Sequence, residues 1–222
     1  SYTTSQDPLT GKTDGLMLKC LILKNTCPKV FQYDSPIEFG GARASLTVTD
    51  GAGKDLPIHP NVRMFYAPGT SHGPQQLAPN AISQPDYTVD RAVSATAVSA
   101  QPGALNASTA LYRALLVNLE GWIKGTVAPL PSYFPKVADG TMAVPTSDPK
   151  SLGASDLSAL GLPYNGVYNT LSVNDETVIP SVPSTKFYVV HLPTTDGQGN
   201  SRAGAKMPDS AVPLATFTGY SL

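Results

Sequence analysis

The sequence lacks an excess of charge of either sign. Lys and Arg total 15 and Asp and Glu total 16 among 222 residues, and only 14% of the residues are charged. Without a basic stripe the chain has no electrostatic footprint for a phosphate backbone, and without an acidic run it has no solvating tail. The composition therefore predicts that the chain has no nucleic-acid partner.

Long apolar runs are missing as well. No run reaches the ~18 residues that a membrane-spanning helix requires, so we expect no membrane span. The polar opening of the chain also lacks the basic start and apolar middle of a signal peptide, unless a leader has already been removed. The chain is nevertheless 41% hydrophobic, too apolar for a disordered protein, and its 21 prolines and 19 glycines predict a folded domain with many turns.

Cysteine is scarce, and the two that occur, Cys20 and Cys27, lie close together in sequence. Neither has a second cysteine or a histidine at zinc-site spacing, so no metal or other cofactor is predicted. The turn residues Asn25, Thr26 and Pro28 let the chain fold back, which favours a disulfide over two buried thiols. A disulfide would indicate a protein that works outside the cytosol, in the periplasm or secreted.

Hydrophobic patterns predict an alternation of strands and helices. A short helix over 16–23, capped by Thr13 or Asp14, opens the chain. Strands are predicted over Lys29–Tyr33, Ala44–Thr49, Asn61–Ala67, Lys186–His191 and Val212–Thr218, and Asp50–Gly53 forms a hairpin turn.

The clearest predicted helix begins at Asn106 or Ser108 and ends at Gly125. Its apolar side chains recur at helical spacing on one face: Leu111, Leu115, Leu119, Trp122 and Ile123. The stretch 74–105 is predicted to be a long loop or lid, and 155–160 a short helix. This order fits an α/β layer, in which a helix covers a sheet, better than a β-sandwich.

The sequence contains three histidines, and one of them is placed as a general base would be. His72 follows the strand Asn61–Ala67 between Gly69 and Gly73, where the backbone can turn sharply and present a side chain at the edge of a sheet. An ordinary loop histidine is the alternative. We expect His59 to be a solvated loop residue and His191 to lie at a strand edge.

A catalytic imidazole also needs an acid and, in a hydrolase, a nucleophile. Glu38 and Asp34 both come after the strand Lys29–Tyr33 and could reach a histidine on a neighbouring strand, although such carboxylates more often cap turns. The Gly-x-Ser-x-Gly spacing occurs at Gly69–Gly73, but this segment leads into a predicted loop and does not lie between a strand and a helix as a nucleophile elbow requires. Its serine, Ser71, is too close to His72 to place its hydroxyl on that ring. Phosphate-binding glycine motifs are absent from the sequence.

At these segments the sequence resembles a poorly characterised family of bacterial proteins, the α/β-hydrolase domain family. The similarity spans nearly the whole chain. It is carried by the blocks KVFQYDSPIEF, ASLTVTDGAGKDLPIHPNVRMFYAPGTSHG, LYRALLVNLEGWIKGTVAPLPSYFPKVADGT, PYNGVYN and DSAVPLATFTGY.

The resemblance implies a fold and a set of site residues. It places Lys29–Tyr33 and Asn61–Ala67 as the seventh and eighth strands of a hydrolase sheet, His72 as the histidine, and Glu38 (or Asp34) as the acid. The family's serine lies in an upstream elbow that this chain does not contain. Residues 1–222 are thus expected to be a single, incomplete domain of α/β class: the C-terminal part of an α/β-hydrolase-like sheet with a covering helix and long Pro/Gly-rich insertions.

Three functions follow as hypotheses. The first is a serine-dependent hydrolase of small-molecule esters, inactive as this chain alone, whose serine comes from an N-terminal segment or a second polypeptide of a processed enzyme. The second is an N-terminal-nucleophile hydrolase that uses Ser1, with a strand beginning at Tyr2–Thr4. The third is a non-catalytic binding or structural module, because a fold alone does not establish activity.

Overall fold

The computed structural model describes residues 1–23, 26–70, 108–146, 148–153 and 168–217. Strands in these residues are β1 (Ser5–Gln6), β2 (Thr13–Asp14), β3 (Val30–Asp34), β4 (Val62–Tyr66), β5 (Met142–Ala143), β6 (Ser172–Asp175), β7 (Val182–Phe187) and β8 (Leu192–Pro193). Helices are α1 (Leu18–Ile22), α2 (Pro36–Gly40), α3 (Thr109–Lys124) and α4 (Pro208–Ala211), with 3₁₀ turns at Ala44–Thr47 and Pro149–Leu152. The predicted lid at 74–105 and the helix at 155–160 lie outside the described residues.

The parallel pair β3–β4 is the centre of the described fold. The strands pair from Val30 opposite Val62 to Asp34 opposite Tyr66. On the other side of β4, the amide of Tyr133 donates to the carbonyl of Met64 and the amide of Tyr66 donates to the carbonyl of Tyr133, both at 2.8 Å. The chain thus runs from β4 through α3 back to a parallel position beside β4, which is the connection typical of α/β proteins.

Strand β4 is buried on both faces, as its apolar sequence predicts. Val62, Met64 and Tyr66 point to one side and join a buried cluster whose other members come from elsewhere in the chain, including Met17, Phe39, Val48 and Met142. On the opposite face Phe65 packs against Phe31, with ring centroids 5.0 Å apart. Phe31 in turn contacts Trp122 of α3 at 5.7 Å, so this helix covers the sheet.

Helix α3 confirms the predicted helix and most of its apolar face. Leu115 is buried, and the side chain of Trp122 lies within 5.2 Å of Lys29 and 4.9 Å of Arg63, which gives cation–π contacts at its edge. Gly125 ends the helix with a φ of +73°, a conformation that suits glycine. Ile123 was wrongly assigned to the covering face, since 59% of it is exposed.

Two of the predicted strands are wrong. Ala44–Thr49 forms a 3₁₀ turn over Ala44–Thr47, because the hydroxyls of Thr47 and Thr49 donate to the carbonyls of Ala44 and Ser45 and favour a local bend over an extended strand. The proposed hairpin turn closes only through one bridge, between Thr49 and Asp55.

The second wrong strand lies near the end of the chain. Helix α4 takes up Pro208–Ala211, with proline at its first position, and the described residues from 212 to 217 contain no strand. The strand predicted at Lys186–His191 runs instead over Val182–Phe187 and pairs with β6. Beyond it the amide of Val189 donates to the carbonyl of Gly51, so the chain has already left β6.

Near the N-terminus, the expected pairing of the cysteines is confirmed. Cys20 and Cys27 form a disulfide with Cα atoms 4.8 Å apart. The predicted short helix exists as α1, but its N-cap is Met17, while Thr13 and Asp14 belong to β2. The strand expected at Tyr2–Thr4 begins only at Ser5.

Candidate active site at the ends of β3 and β4

The site is built where the two parallel strands end. The amide of Ala67, just after β4, donates to the carbonyl of Asp34, the last residue of β3, at 2.9 Å. Side chains that follow the two strands therefore emerge at the same edge of the sheet. In open α/β sheets this carboxyl edge is where ligands bind.

A buried turn follows β4 directly. Gly69 adopts a φ of +71°, and the hydroxyl of Thr70 donates to the carbonyl of Ala67 at 2.9 Å. Thr70 is only 1% exposed. The described segment ends at Thr70, so Ser71 and the predicted base His72 lie outside the described residues.

Glu38 lies in the first turn of α2, which follows β3 after a single residue. Its carboxylate oxygen Oε2 accepts two hydrogen bonds from Ser35, one from the backbone amide at 2.6 Å and one from the hydroxyl at 2.5 Å. Proline at the first position and glutamate at the third are typical of a helix start. The carboxylate is thus tied to the strand end by two short contacts.

Asp34 occupies a different environment, although it is only four residues away. It is the last residue of β3 and not, as expected, a residue beyond the strand. It is 8% exposed, and its two carboxylate oxygens accept from Nε2 of Gln32 at 3.1 and 2.9 Å. Burial, with a smaller contribution from the negative charge of Glu38, raises the pKa of Asp34 to about 6 against the hydrogen bonds from Gln32, which lower it.

A pair of tyrosines adjoins the two carboxylates. Tyr33 of β3 and Tyr112 of α3 stack with ring centroids 4.1 Å apart, and the Tyr33 hydroxyl lies 3.3 Å from that of Thr70. Burial raises the pKa of Tyr112 to about 12, with further contributions from Tyr33, Glu38 and Asp34. Both phenols therefore remain protonated at neutral pH and can donate hydrogen bonds.

Sequence reasoning missed this tyrosine pair. One signal was available for Tyr33, since strand alternation places it on the same face of β3 as Phe31, and this face packs on α3. For Tyr112 the helical pattern drew attention to the neighbouring Leu111, and no local feature relates the helix to β3. The pairing depends on how α3 docks, which is a tertiary property.

The other two histidines lie away from this edge. The Nδ1 atom of His59 accepts from the amide of Asn61 at 3.1 Å, and the residue is half-buried and not the solvated loop residue we expected. His191 is 3% exposed, its amide donates to the hydroxyl of Ser45, and it lies beyond the strand at whose edge it was expected. Burial lowers its pKa, while Asp55 and Asp50 oppose the effect.

Ser1, the alternative nucleophile, borders a groove of about 730 Å³ between the N-terminal segment, the 49–51 turn and β6. Its hydroxyl donates to the carbonyl of Thr3 at 2.8 Å. Burial lowers the pKa of the amino group, against the influence of Asp14. Ser1 does not lie in a strand, which is the position that the N-terminal-nucleophile hypothesis requires.

The described ranges contain neither a candidate metal site nor a membrane-spanning helix. No cluster of three or more His, Cys, Asp or Glu side chains in that part of the chain could hold a metal ion. Among its helices, none combines the length and apolar character needed to cross a bilayer.

Comparison with known proteins agrees with this arrangement of strands and helices. A family model described as "Alpha/beta hydrolase domain" matches residues 2–222, nearly the full length of the chain. No curated protein and no solved structure matches the chain.

Proposed function

The chain belongs to the α/β-hydrolase domain family, and we propose that it contributes the histidine and the acid of a serine-dependent carboxylic-ester hydrolase. His72 is the general base and Glu38 orients it, while the serine comes from an N-terminal segment or a second polypeptide. The observation that supports this most directly is that the parallel strands β3 and β4 end at the same height in the sheet. The segment that leads to His72 and helix α2, which carries Glu38, therefore both leave the sheet at its carboxyl edge, and this supports the pairing.

The proposed reaction uses three side chains: a serine, His72 and Glu38. The serine hydroxyl attacks the ester carbonyl while the His72 imidazole takes its proton, and the tetrahedral intermediate collapses as the imidazolium returns that proton to the leaving alcohol. Water then attacks the acyl-enzyme by the same route and releases the carboxylic acid. Glu38 holds the imidazole in one tautomer and stabilises its charged form. Donors for the oxyanion come largely from the serine-bearing segment.

The environments of the two carboxylates favour Glu38 over Asp34 as the acid. Glu38 is held in one orientation by Ser35 and lies beyond the strand end. Asp34 is buried within the strand, is engaged by Gln32, and has a pKa of about 6, so part of its population is neutral near neutral pH. A neutral carboxyl stabilises an imidazolium poorly.

The disulfide supports a proposed location outside the cytosol. A bond between Cys20 and Cys27 persists in an oxidising compartment and is rare in the cytosol. We therefore place the protein in the periplasm or among secreted proteins, with a small-molecule ester as substrate.

The test is to purify the chain with whatever polypeptide accompanies it and to treat the assembly with a fluorescent organophosphonate. We expect a serine outside this chain to be labelled and a chromogenic ester to be hydrolysed. His72→Ala should reduce turnover by at least 10²-fold without loss of folding, since general acid–base catalysis contributes about 10²–10⁴-fold.

A matched pair of variants separates the two acids. Glu38→Gln should reduce turnover by a similar factor, whereas Asp34→Asn should retain most of it. The opposite result would assign the acid to Asp34. An assembly with no labelled serine and no turnover would leave the non-catalytic module as the function, and activity abolished by acetylation of the α-amino group would indicate Ser1.

A further inference from the structure

We propose that Ser35 is a positioning residue that holds the Glu38 carboxylate in the one orientation in which it can serve a histidine. The inference rests on the proposed function, because it assigns a purpose to a contact with the proposed acid. Ser35 touches neither substrate nor reacting atoms and acts through Glu38 alone.

The contact adds one hydrogen bond to the capping box that begins α2. Both donors of Ser35, its backbone amide and its hydroxyl, converge on the same oxygen, Oε2 of Glu38. In the reverse direction the amide of Glu38 donates to the carbonyl of Ser35 at 3.1 Å. Ser35 is fully buried, so its two donors are shielded from water, while Glu38 itself is partly exposed.

Two donors on one oxygen determine the direction of the whole carboxylate. With Oε2 anchored toward Ser35, the plane of the carboxyl group and the position of Oε1 follow from the covalent geometry. Hydrogen bonds to an ionised acceptor are about twice as strong as neutral ones, so the anchored orientation is the preferred one. A glutamate side chain otherwise has considerable rotamer freedom to lose.

The position of Ser35 makes the anchor rigid. It follows Asp34, whose carbonyl is bound by Ala67 of the neighbouring strand segment, and it precedes Pro36, whose φ is restricted by its ring. The carboxylate of Glu38 is thus anchored, through Ser35, to the backbone at the end of the sheet. A serine or threonine hydroxyl is required, since alanine or glycine keeps only the backbone donor.

The first experiment measures the orientation of Glu38 in the chain itself. Side-chain three-bond NMR couplings of Glu38 should indicate one rotamer in the wild type and in Ser35→Thr, and averaged rotamers in Ser35→Ala. Ser45→Ala is the matched control, since Ser45 is equally buried and its hydroxyl serves His191. If Ser35→Ala does not fold, Ser35→Gly replaces it, because glycine costs an N-cap only a few tenths of a kcal/mol.

The second measurement connects the anchor to catalysis. A histidine N–H bound to a carboxylate gives a far-downfield proton resonance, which His72→Ala and Glu38→Gln should abolish. Ser35→Ala should weaken or shift it, and in the active assembly should lower kcat by about tenfold with little change in KM, because the misplaced group acts only in the transition state. Ser35→Thr should restore both.

The outcomes distinguish the two proposals. Unchanged couplings, resonance and kcat in Ser35→Ala would overturn the role of Ser35 and leave the proposed function intact. A wild-type spectrum without the downfield resonance would overturn the pairing of Glu38 with His72, and with it the purpose assigned to Ser35. Equal losses of the downfield resonance and of kcat in Ser35→Ala and Ser45→Ala would show that Ser35 acts only through the stability of the fold, which contradicts the inference.

Discussion

Asp34 and Ala67 are joined across the ends of two parallel strands by a hydrogen bond from the Ala67 amide to the Asp34 carbonyl, 2.9 Å long. This bond is the last rung between the strands that carry the candidate site. Everything after Asp34 on one strand and after Ala67 on the other leaves the sheet at the same level. Helix α2, which carries Glu38, and the turn at Gly69 and Thr70 consequently both begin at this edge of the sheet.

The buried carboxyl of Asp34 should make stability depend on pH. Its pKa of about 6 lies above the ordinary 3.8, so the folded protein holds this proton more tightly than the unfolded chain. Ionisation of Asp34 therefore destabilises the fold progressively as pH rises from about 4 to about 6. Asp34→Asn removes this cost. Between about pH 4 and about pH 6 the unfolding free energy of the variant should therefore rise relative to that of the wild type by up to about 3 kcal/mol.

Urea unfolding at a series of pH values measures this difference. Asp209→Asn, at an exposed aspartate in the first turn of α4, is the control and should show no comparable trend. Parallel curves for the wild type and Asp34→Asn would contradict the environment described for Asp34.

His191 should give the opposite dependence. Its pKa is lowered mainly by burial, so the unfolded chain binds the proton more tightly than the folded one. Stability is complete above the unfolded value of about 6.5 and is lost as pH falls from there through the folded value. The nearby charges of Asp55 and Asp50 moderate the loss.

The variant His191→Gln, which cannot titrate, should lose less stability than the wild type on acidification. Thermal unfolding at several pH values below 7 checks this. A wild-type midpoint that follows the variant's at every pH would show that the buried imidazole does not titrate in this range.

Gly204 should be irreplaceable because it lies against the end of β4. A Cβ atom at this position would be 2.5 Å from the carbonyl oxygen of Tyr66 and 2.8 Å from Pro68, and the φ is +108°. Gly204→Ala should reduce the unfolding free energy by on the order of 3 kcal/mol. If the proposed assembly hydrolyses esters, Gly204→Ala should also reduce its turnover, since the displaced backbone leads toward the turn at Gly69.

The matched control is Gly140→Ala. That glycine also has a positive φ, of +71°, but its added Cβ would meet no atom within 4 Å. In Gly140→Ala only the strain of the positive φ remains, so the unfolding free energy should fall by about 1 kcal/mol. Denaturant unfolding of the two variants separates the steric contact at Gly204 from the backbone strain that both positions share. Equal losses of unfolding free energy in the two variants would rule out the close approach of Gly204 to Tyr66.

The disulfide should stabilise the chain modestly. Cys20 and Cys27 are separated by seven positions, and loop-closure entropy for so short a loop predicts at most about 2.5 kcal/mol. A Cys20→Ser, Cys27→Ser double variant and the reduced wild type should therefore lose similar amounts. Because the chain contains only these two cysteines, any effect of a thiol reductant on the unfolding midpoint reports on this bond.

Several features of the fold could be predicted locally. The β-branched and aromatic residues of Val30–Asp34 and Val62–Tyr66 are typical of strands, and both segments are strands. The helix Thr109–Lys124 follows from its period and from Gly125. The disulfide follows from two cysteines separated by turn residues. Each of these depends on residues that are close together in the sequence.

The wrong predictions share a physical cause. Ala44–Thr49 alternates like a strand, but its threonine hydroxyls donate to carbonyls within the same turn, and no strand of the described residues pairs with Ala44–Thr47. Lys186–His191 has strand composition, yet β6 pairs with the preceding residues. Strand formation depends on a partner, and a partner distant in sequence cannot be read from one segment.

For the candidate site, sequence alone determined the residue types: a glutamate after one strand and a histidine after the next. Only the tertiary structure decided that β3 and β4 are adjacent and level, that Ser35 holds Glu38 while Gln32 holds Asp34, and that Tyr112 stacks on Tyr33. The physical reason is the distance along the chain over which each interaction acts. Backbone preference and periodicity act over a few residues, whereas the burial and hydrogen bonding that distinguish two nearby carboxylates depend on which distant segments pack around them.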